Sequence, residues 1–157
     1  QQDARGHFYT LPALIRVFWD TDLLLDVLAN RAPFADPAAQ LWSAIERRQI
    51  SGYVSPLSMA NLNYILRRAP TKIPVREILR NLRRLFEIVP LTAEIVGRAL
   101  ESNLKDFEDA IQWESAIAAK AGFLLTRNAS DFPTKPAIQV VSCAELIRRH
   151  PFLTAAP

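Results

Sequence analysis

The chain has 157 residues, half of them apolar and 22% charged, which fits one folded domain with a sizeable core and excludes a disordered polymer. No apolar run approaches the roughly 20 residues that span a bilayer, and residues 1–14 lack the pattern of a secretory leader, so neither a membrane helix nor export is expected. The single cysteine, Cys143, excludes an internal disulfide framework and fits a reducing, cytoplasmic setting, while a net charge of +3 is compatible with a nucleic-acid partner without requiring one.

The sequence does not begin with Met, so residues 1–15 are read as an N-terminal extension, processed or foreign in part. Residues 16–150 are read as a single domain and 151–157 as a C-terminal tail. The first predicted strand, 16–20, ends in Asp20-Thr21-Asp22, and a helix starting near Asp22 carries a third acid, Asp26. A helix is predicted over 37–49, with Pro37 in its first turn and Leu41, Trp42, Ala44 and Ile45 on one side. A strand over 52–55 precedes helices over 58–68 and 74–87, with Pro70 and Pro74 as punctuation. A strand over 88–91 and a helix over 92–103 follow. The next helix, 107–121, has Asp106 at its N-cap and Glu108 and Asp109 in its first turn, where the helix dipole favours negative charge. A strand over 123–126 leads into a turn with Asn128 and Asp131, and the last strand, 139–142, precedes a short helix.

Strands that alternate with helices predict an α/β domain with a mostly parallel sheet, because parallel neighbours need crossover connections. The working crevice of such a sheet lies beyond the carboxyl ends of its strands. Three acidic stretches fall there: Asp20 with Asp22, then 106–109, then 126–131. Each has a structural explanation as a cap or a turn, but together they point to a cation, since two carboxylates about 4 Å apart repel by roughly 4 kcal/mol at an effective dielectric of 20. Oxygen-only donors without a Cys or His motif favour Mg²⁺ or Mn²⁺ over zinc. His7 and His150 lie near the termini without metal spacing and read as surface residues, and Cys143 reads as a packing residue.

The ordered segments "FWDTDLLLDVL", "YVSPLSMANLNYILRR" and "DFEDAIQWESAIAAKAGFLLTRNASDF", with a last strand and short helix, resemble the PIN-domain ribonucleases that include VapC-type toxins. The resemblance runs from about Val17 to Ile147. It implies a three-layer α/β/α fold with a mostly parallel central sheet, and an acidic cluster that binds Mg²⁺ or Mn²⁺ for RNA phosphodiester hydrolysis. Carried onto this chain, Asp20 matches the first acid and Asp109 the acid that opens the late helix. Asp131 and Asn128 are both candidates for the last position. The second acid, a glutamate in most relatives, is replaced by Asn61, as in a branch of PIN-like proteins with Asn there. An amide ligates through oxygen but brings no charge. Asp22 is placed to restore part of that charge. For Asp26 two readings stand: facing the same pocket, or sitting on the helix surface.

The expected metal ligands are therefore Asp20, Asp109 and Asp131, supported by Asp22, Asn61, Asn128 and Asp26, with Thr126 or Ser58 hydrogen-bonded to the carboxylates. Arg76, Arg80, Arg83 and Arg84 share one helical face by their spacing and are the candidate RNA contact, against the alternative of an ordinary solvated face with Arg83 paired to Glu87. The resemblance also implies a small antitoxin partner and a homodimer. Two other readings compete. "RVFWDTD" is similar to the nucleophile strand of haloacid-dehalogenase-like phosphatases, but "TRNASDF" matches their late acidic pair poorly. With Asn61 in place of an acid, a PIN-like module that binds RNA or protein without cutting is the second reading.

Overall fold

The computed structural model describes residues 14–134 and 138–154, so His7 lies outside the described residues. Five strands form one parallel sheet: β1 (Ile15–Trp19), β2 (Ile50–Val54), β3 (Glu87–Ile88), β4 (Phe123–Leu125) and β5 (Gln139–Val141), in the order β3-β2-β1-β4-β5. Seven helices occur among the described residues: α1 (Thr21–Leu28), α2 (Ala35–Glu46), α3 (Pro56–Leu66), α4 (Val75–Leu85), α5 (Ala93–Leu100), α6 (Phe107–Ala118) and α7 (Cys143–Arg149). None is long and apolar enough to cross a membrane.

β1 sits in the middle, paired with β2 on one side and β4 on the other, and its Val17, Phe18 and Trp19 are fully buried. Alternation along the strands divides the core. Val17, Trp19, Val54 and Leu125 point into the layer built from α1, α2, α3, α4 and α7, whereas Phe18, Tyr53 and Leu124 meet Trp113 and Ala116 of α6 on the opposite face. The expected three-layer α/β/α arrangement is present. Gly52 is needed where β2 crosses the first layer, because a Cβ there would lie 2.6 Å from Ile45 Cδ1 and 2.7 Å from Phe86 Cδ1.

Element ends shift for local reasons. α1 starts at Thr21 because Asp20, in an extended conformation, caps it. α3 starts at Pro56, two residues before the predicted Ser58, because Ser55 is its cap and Pro suits the first turn. α2 starts at Ala35, ahead of Pro37. β3 is shorter than the predicted 88–91: Val89 still donates to Val54 O at 2.9 Å, but Pro90 has no N–H with which to continue the ladder. Cys143 is buried in the core, which pushes its thiol up to about 12 and leaves it a packing residue. Leu153, in a short 3-10 turn after α7, is also buried, and its carbonyl accepts from Arg47 Nη2 at 2.7 Å.

The two halves of the sheet's carboxyl edge are tied by one ion pair. Asp26 of α1 is completely buried, and its carboxylate faces the Arg127 guanidinium from the loop after β4, with Nε to Oδ2 at 2.8 Å and Nη2 against Oδ1. Arg127 also lies over the Phe34 ring, 4.2 Å from its centroid. Removing one partner of such a pair leaves an uncompensated charge. Asp26→Asn is expected to cost about 3–5 kcal/mol in urea unfolding, and Asp26→Leu combined with Arg127→Met to recover most of that loss.

Candidate active site

The order β3-β2-β1-β4-β5 reverses direction between β1 and β4, and a crevice opens at the carboxyl ends of strands that diverge in this way. Asp20 follows β1 and Thr126 follows β4, so both stand at that point. The Asp20 N–H donates to Leu125 O at 3.0 Å and closes the pairing. Its Oδ1 accepts from Thr21 N at 2.7 Å and its Oδ2 from Thr126 Oγ1 at 2.9 Å. Thr126 Oγ1 in turn accepts from Asn128 N at 3.2 Å. Burial raises the Asp20 carboxyl above its ordinary range, while the Thr126 and Thr21 donors pull it partly back.

Next to Asp20 a buried polar network locks the starts of α1 and α3 to the middle of α6. Gln112 of α6 accepts from Ser55 Oγ at 2.6 Å and donates to Ser58 Oγ at 2.8 Å and to Thr21 Oγ1 at 3.2 Å. Thr21 Oγ1 also donates to Ser58 Oγ at 2.9 Å. Ser58, one of the two hydroxyls expected to touch the carboxylates, belongs to this network; Thr126 is the hydroxyl bonded to Asp20.

α6 brings the second acidic segment to the same place. Asp106 caps it as predicted, with Oδ1 accepting from Glu108 N at 2.8 Å and Asp109 N at 3.1 Å. The Asn61 side-chain amide of α3 donates to Glu108 Oε1 at 2.5 Å. The resulting cleft, of about 280 Å³, is lined by six carboxylates (Asp20, Asp22, Asp106, Glu108, Asp109, Asp131) together with Asn61, Thr126 and Asn128, and by no Lys or Arg. The acids act on one another. Burial, then the charges of Asp106, Asp20, Asp131 and Glu108, push Asp109 up to about 6, and burial followed by the Asp20 charge raises Glu108. A wider cavity of about 960 Å³ shares Asp106, Asp109 and Asp131 with the cleft and adds Arg98, Lys105 and Trp113.

Not every candidate is in the cleft. Asp26 does not line it, nor is it on the helix surface; it is the buried partner of Arg127. Asp22 lines the cleft with its side chain half exposed, 3.9 Å from Arg31 Nη1. Asn128 and Asp131 both line it. Arg76, Arg80, Arg83 and Arg84 are exposed on α4 outside it, while Val75, Ile78, Leu79 and Leu82 pack inward, and Glu87 accepts from Tyr53 Oη at 3.4 Å. His150 lies edge-on to Phe123 and Phe152, away from the acids. Sequence reasoning expects Glu108 only as a favourable first-turn residue, and its contact with Asn61, 47 positions away, carries no sequence signal.

Among the described residues no group of three or more His, Cys, Asp or Glu stands close enough to hold an ion together. The donor set nonetheless fits a hard cation: all its members are oxygens, and the carboxylates raise one another's proton affinity for want of positive charge.

No curated protein sequence is significantly similar to this chain. A chain of the crystal structure of VapBC2 from Rickettsia felis bound to a DNA fragment from their promoter has a similar fold, with a TM-score of 0.60 and 16% identity, covering 81% of this chain and 98% of that one. The sequence also matches the PIN domain over residues 16–130, from β1 to the turn that leads to Asp131. With most of its length matched, and with its acids gathered at the sheet's point of reversal, the chain belongs to the PIN domain family.

Proposed function

We propose that this PIN domain is a metal-dependent ribonuclease that hydrolyses RNA phosphodiester bonds in the cytoplasm, as the toxin of a toxin–antitoxin pair. The observation that carries the reading is the cleft at the β1/β4 reversal, lined by six carboxylates and by no basic side chain. Asp20, Asp109 and Asp131 would hold one or two Mg²⁺ or Mn²⁺ ions, with Asp22, Asn61 and Asn128 as further oxygen donors or water-orienting groups. The chemistry a bound divalent ion supplies is a more acidic water and neutralisation of charge developing on the phosphate. Asp20 presents its carboxylate without reorientation, because Thr21 N and Thr126 Oγ1 fix both oxygens. Asp106 keeps the first turn of α6 formed and so holds Asp109 toward the cleft.

Arg76, Arg80, Arg83 and Arg84 present an exposed basic row that would track RNA phosphates. The fold shared with a VapBC2 chain supports a small antitoxin as partner. A second reading, a PIN domain that binds RNA or protein without cutting it, is favoured by Asn61, whose amide brings no charge to the cleft.

Cleavage of single-stranded RNA by the purified chain is expected to require Mn²⁺ or Mg²⁺. Asp20→Asn and Asp109→Asn should each reduce it by more than the roughly 10- to 100-fold loss typical of an outer-sphere partner. Retained RNA binding with no cleavage at any metal concentration would favour the second reading. Charge reversal at Arg76 and Arg80 should flatten the salt dependence of RNA binding, its log–log slope falling by about one for each phosphate no longer neutralised; an unchanged slope would remove α4 from the RNA path.

Asp109 also makes stability depend on pH. Its folded carboxyl, at about 6, holds a proton more tightly than the ordinary carboxyl near 3.8, so its ionisation opposes folding. The penalty is absent below pH 4, grows between 4 and 6, and is complete above. Metal-free Asp109→Asn should therefore melt a few degrees above the parent at pH 7.5, with the gap closing by pH 4. Mn²⁺ should raise the melting temperature of the parent more than that of the variant.

A further inference from the structure

Glu108 occupies a position that the start of α6 does not require. The helix is already capped, since Asp106 Oδ1 accepts from both Glu108 N and Asp109 N. The Glu108 side chain instead crosses to α3, where Asn61 Nδ2 donates to its Oε1 at 2.5 Å. An amide NH₂ can only donate to a carboxylate, so this bond fixes the orientation of both groups. Among the described residues the second Glu108 oxygen and Asn61 Oδ1 have no hydrogen-bond partner, and both residues line the cleft that Asp20 and Asp109 line.

We infer that Glu108, oriented by the Asn61 amide, is a direct cation ligand of the cleft and supplies from α6 the negative charge that α3 lacks. The inference rests on the cleft's being the metal site proposed above. Asn61 and Glu108 form a matched pair: a carboxylate at position 61, at the same distance from Glu108, would set two charges against each other with no donor between them. The amide removes that repulsion, aims the Glu108 carboxylate, and leaves its own Oδ1 as a neutral oxygen donor beside it. Glu108 also lies within electrostatic reach of Asp20, which raises its carboxyl after burial does. An ordinary surface hydrogen bond between two helices would not need a half-buried carboxylate turned toward other acids.

The pair can be tested by moving the charge. Mn²⁺ affinity of the full chain, read from the electron paramagnetic resonance signal of the free ion, should fall by roughly 10-fold or more in Glu108→Gln. Asn61→Glu combined with Glu108→Gln puts the carboxylate back on α3 and the amide on α6, and should restore the affinity to within a few fold of the parent. Melting curves confirm that each variant is folded. If Glu108→Gln binds Mn²⁺ like the parent while Asp20→Asn does not, Glu108 is no ligand and the cleft reading stands. A weakened Glu108→Gln without recovery in the exchanged variant also overturns the matched-pair assignment. If Asp20→Asn and Asp109→Asn leave Mn²⁺ affinity unchanged as well, the cleft reading itself falls and Glu108 with it.

Discussion

The side-chain amide of Gln112 is the constraint on which the arrangement of the site depends. It is fully buried, and a buried amide left without partners costs about 1–3 kcal/mol for each unsatisfied group. Its partners are Ser55, Ser58 and Thr21, which stand at the starts of α3 and α1, while Gln112 itself belongs to α6. Satisfying one amide therefore ties the starts of α1 and α3 to the middle of α6. Each of the three helices carries part of the cleft: Asp20 and Asp22 at the start of α1, Asn61 midway along α3, Glu108 and Asp109 in the first turn of α6. Hydrophobic packing of the three helices has no direction of its own, whereas hydroxyl and amide geometry does. The apolar layers give the domain its stability, and this small polar core gives the acids their relative positions.

The acids so placed work against the fold that places them. Burial and mutual repulsion raise Asp20, Glu108 and Asp109 together, so each would be easier to ionise in the unfolded chain. Local donors and, at Asp20, the Arg127 charge offset part of this. Thr126 and Thr21 N bond to Asp20 and Asn61 bonds to Glu108, while burial and the surrounding charges all raise Asp109. A cation bound there would relieve the remaining repulsion and would couple stability to occupancy of the cleft. A cleft that is uncomfortable when free is one with affinity to give.

The sheet was legible because its strands are short β-branched and aromatic runs bounded by Pro, Asp and Asn, and the fold class followed from their alternation with helices. Asp20 and Asp109 were legible for a related reason: a carboxylate at the end of a buried strand or the start of a helix has only a few places to go. Asp26 was not, because spacing along α1 says which face a residue occupies and nothing of Arg127, 101 positions away, beneath that face. Glu108 was hidden by a sufficient explanation, since a first-turn glutamate satisfies the helix dipole whether or not it also reaches across to Asn61. Gln112 was hidden because a buried amide has no sequence signature until its partners are known. In each case the missing information was a contact between elements far apart in the chain.

Asp26 and Arg127 connect these points. Arg127 follows Thr126 directly, and its charge acts on Asp20, lowering that carboxyl. Asp26 takes the guanidinium into a buried pair, with Phe34 stacked over it. Held there, Arg127 pins the β4 loop, which carries Asn128 and Asp131, against α1, yet it does not line the cleft. A carboxylate outside the site thus fixes the arginine beside it, and with that arginine the loop that carries two of the cleft's residues. One acid of the α1 group is therefore buried against Arg127, while Asp20 and Asp22 open onto the cleft.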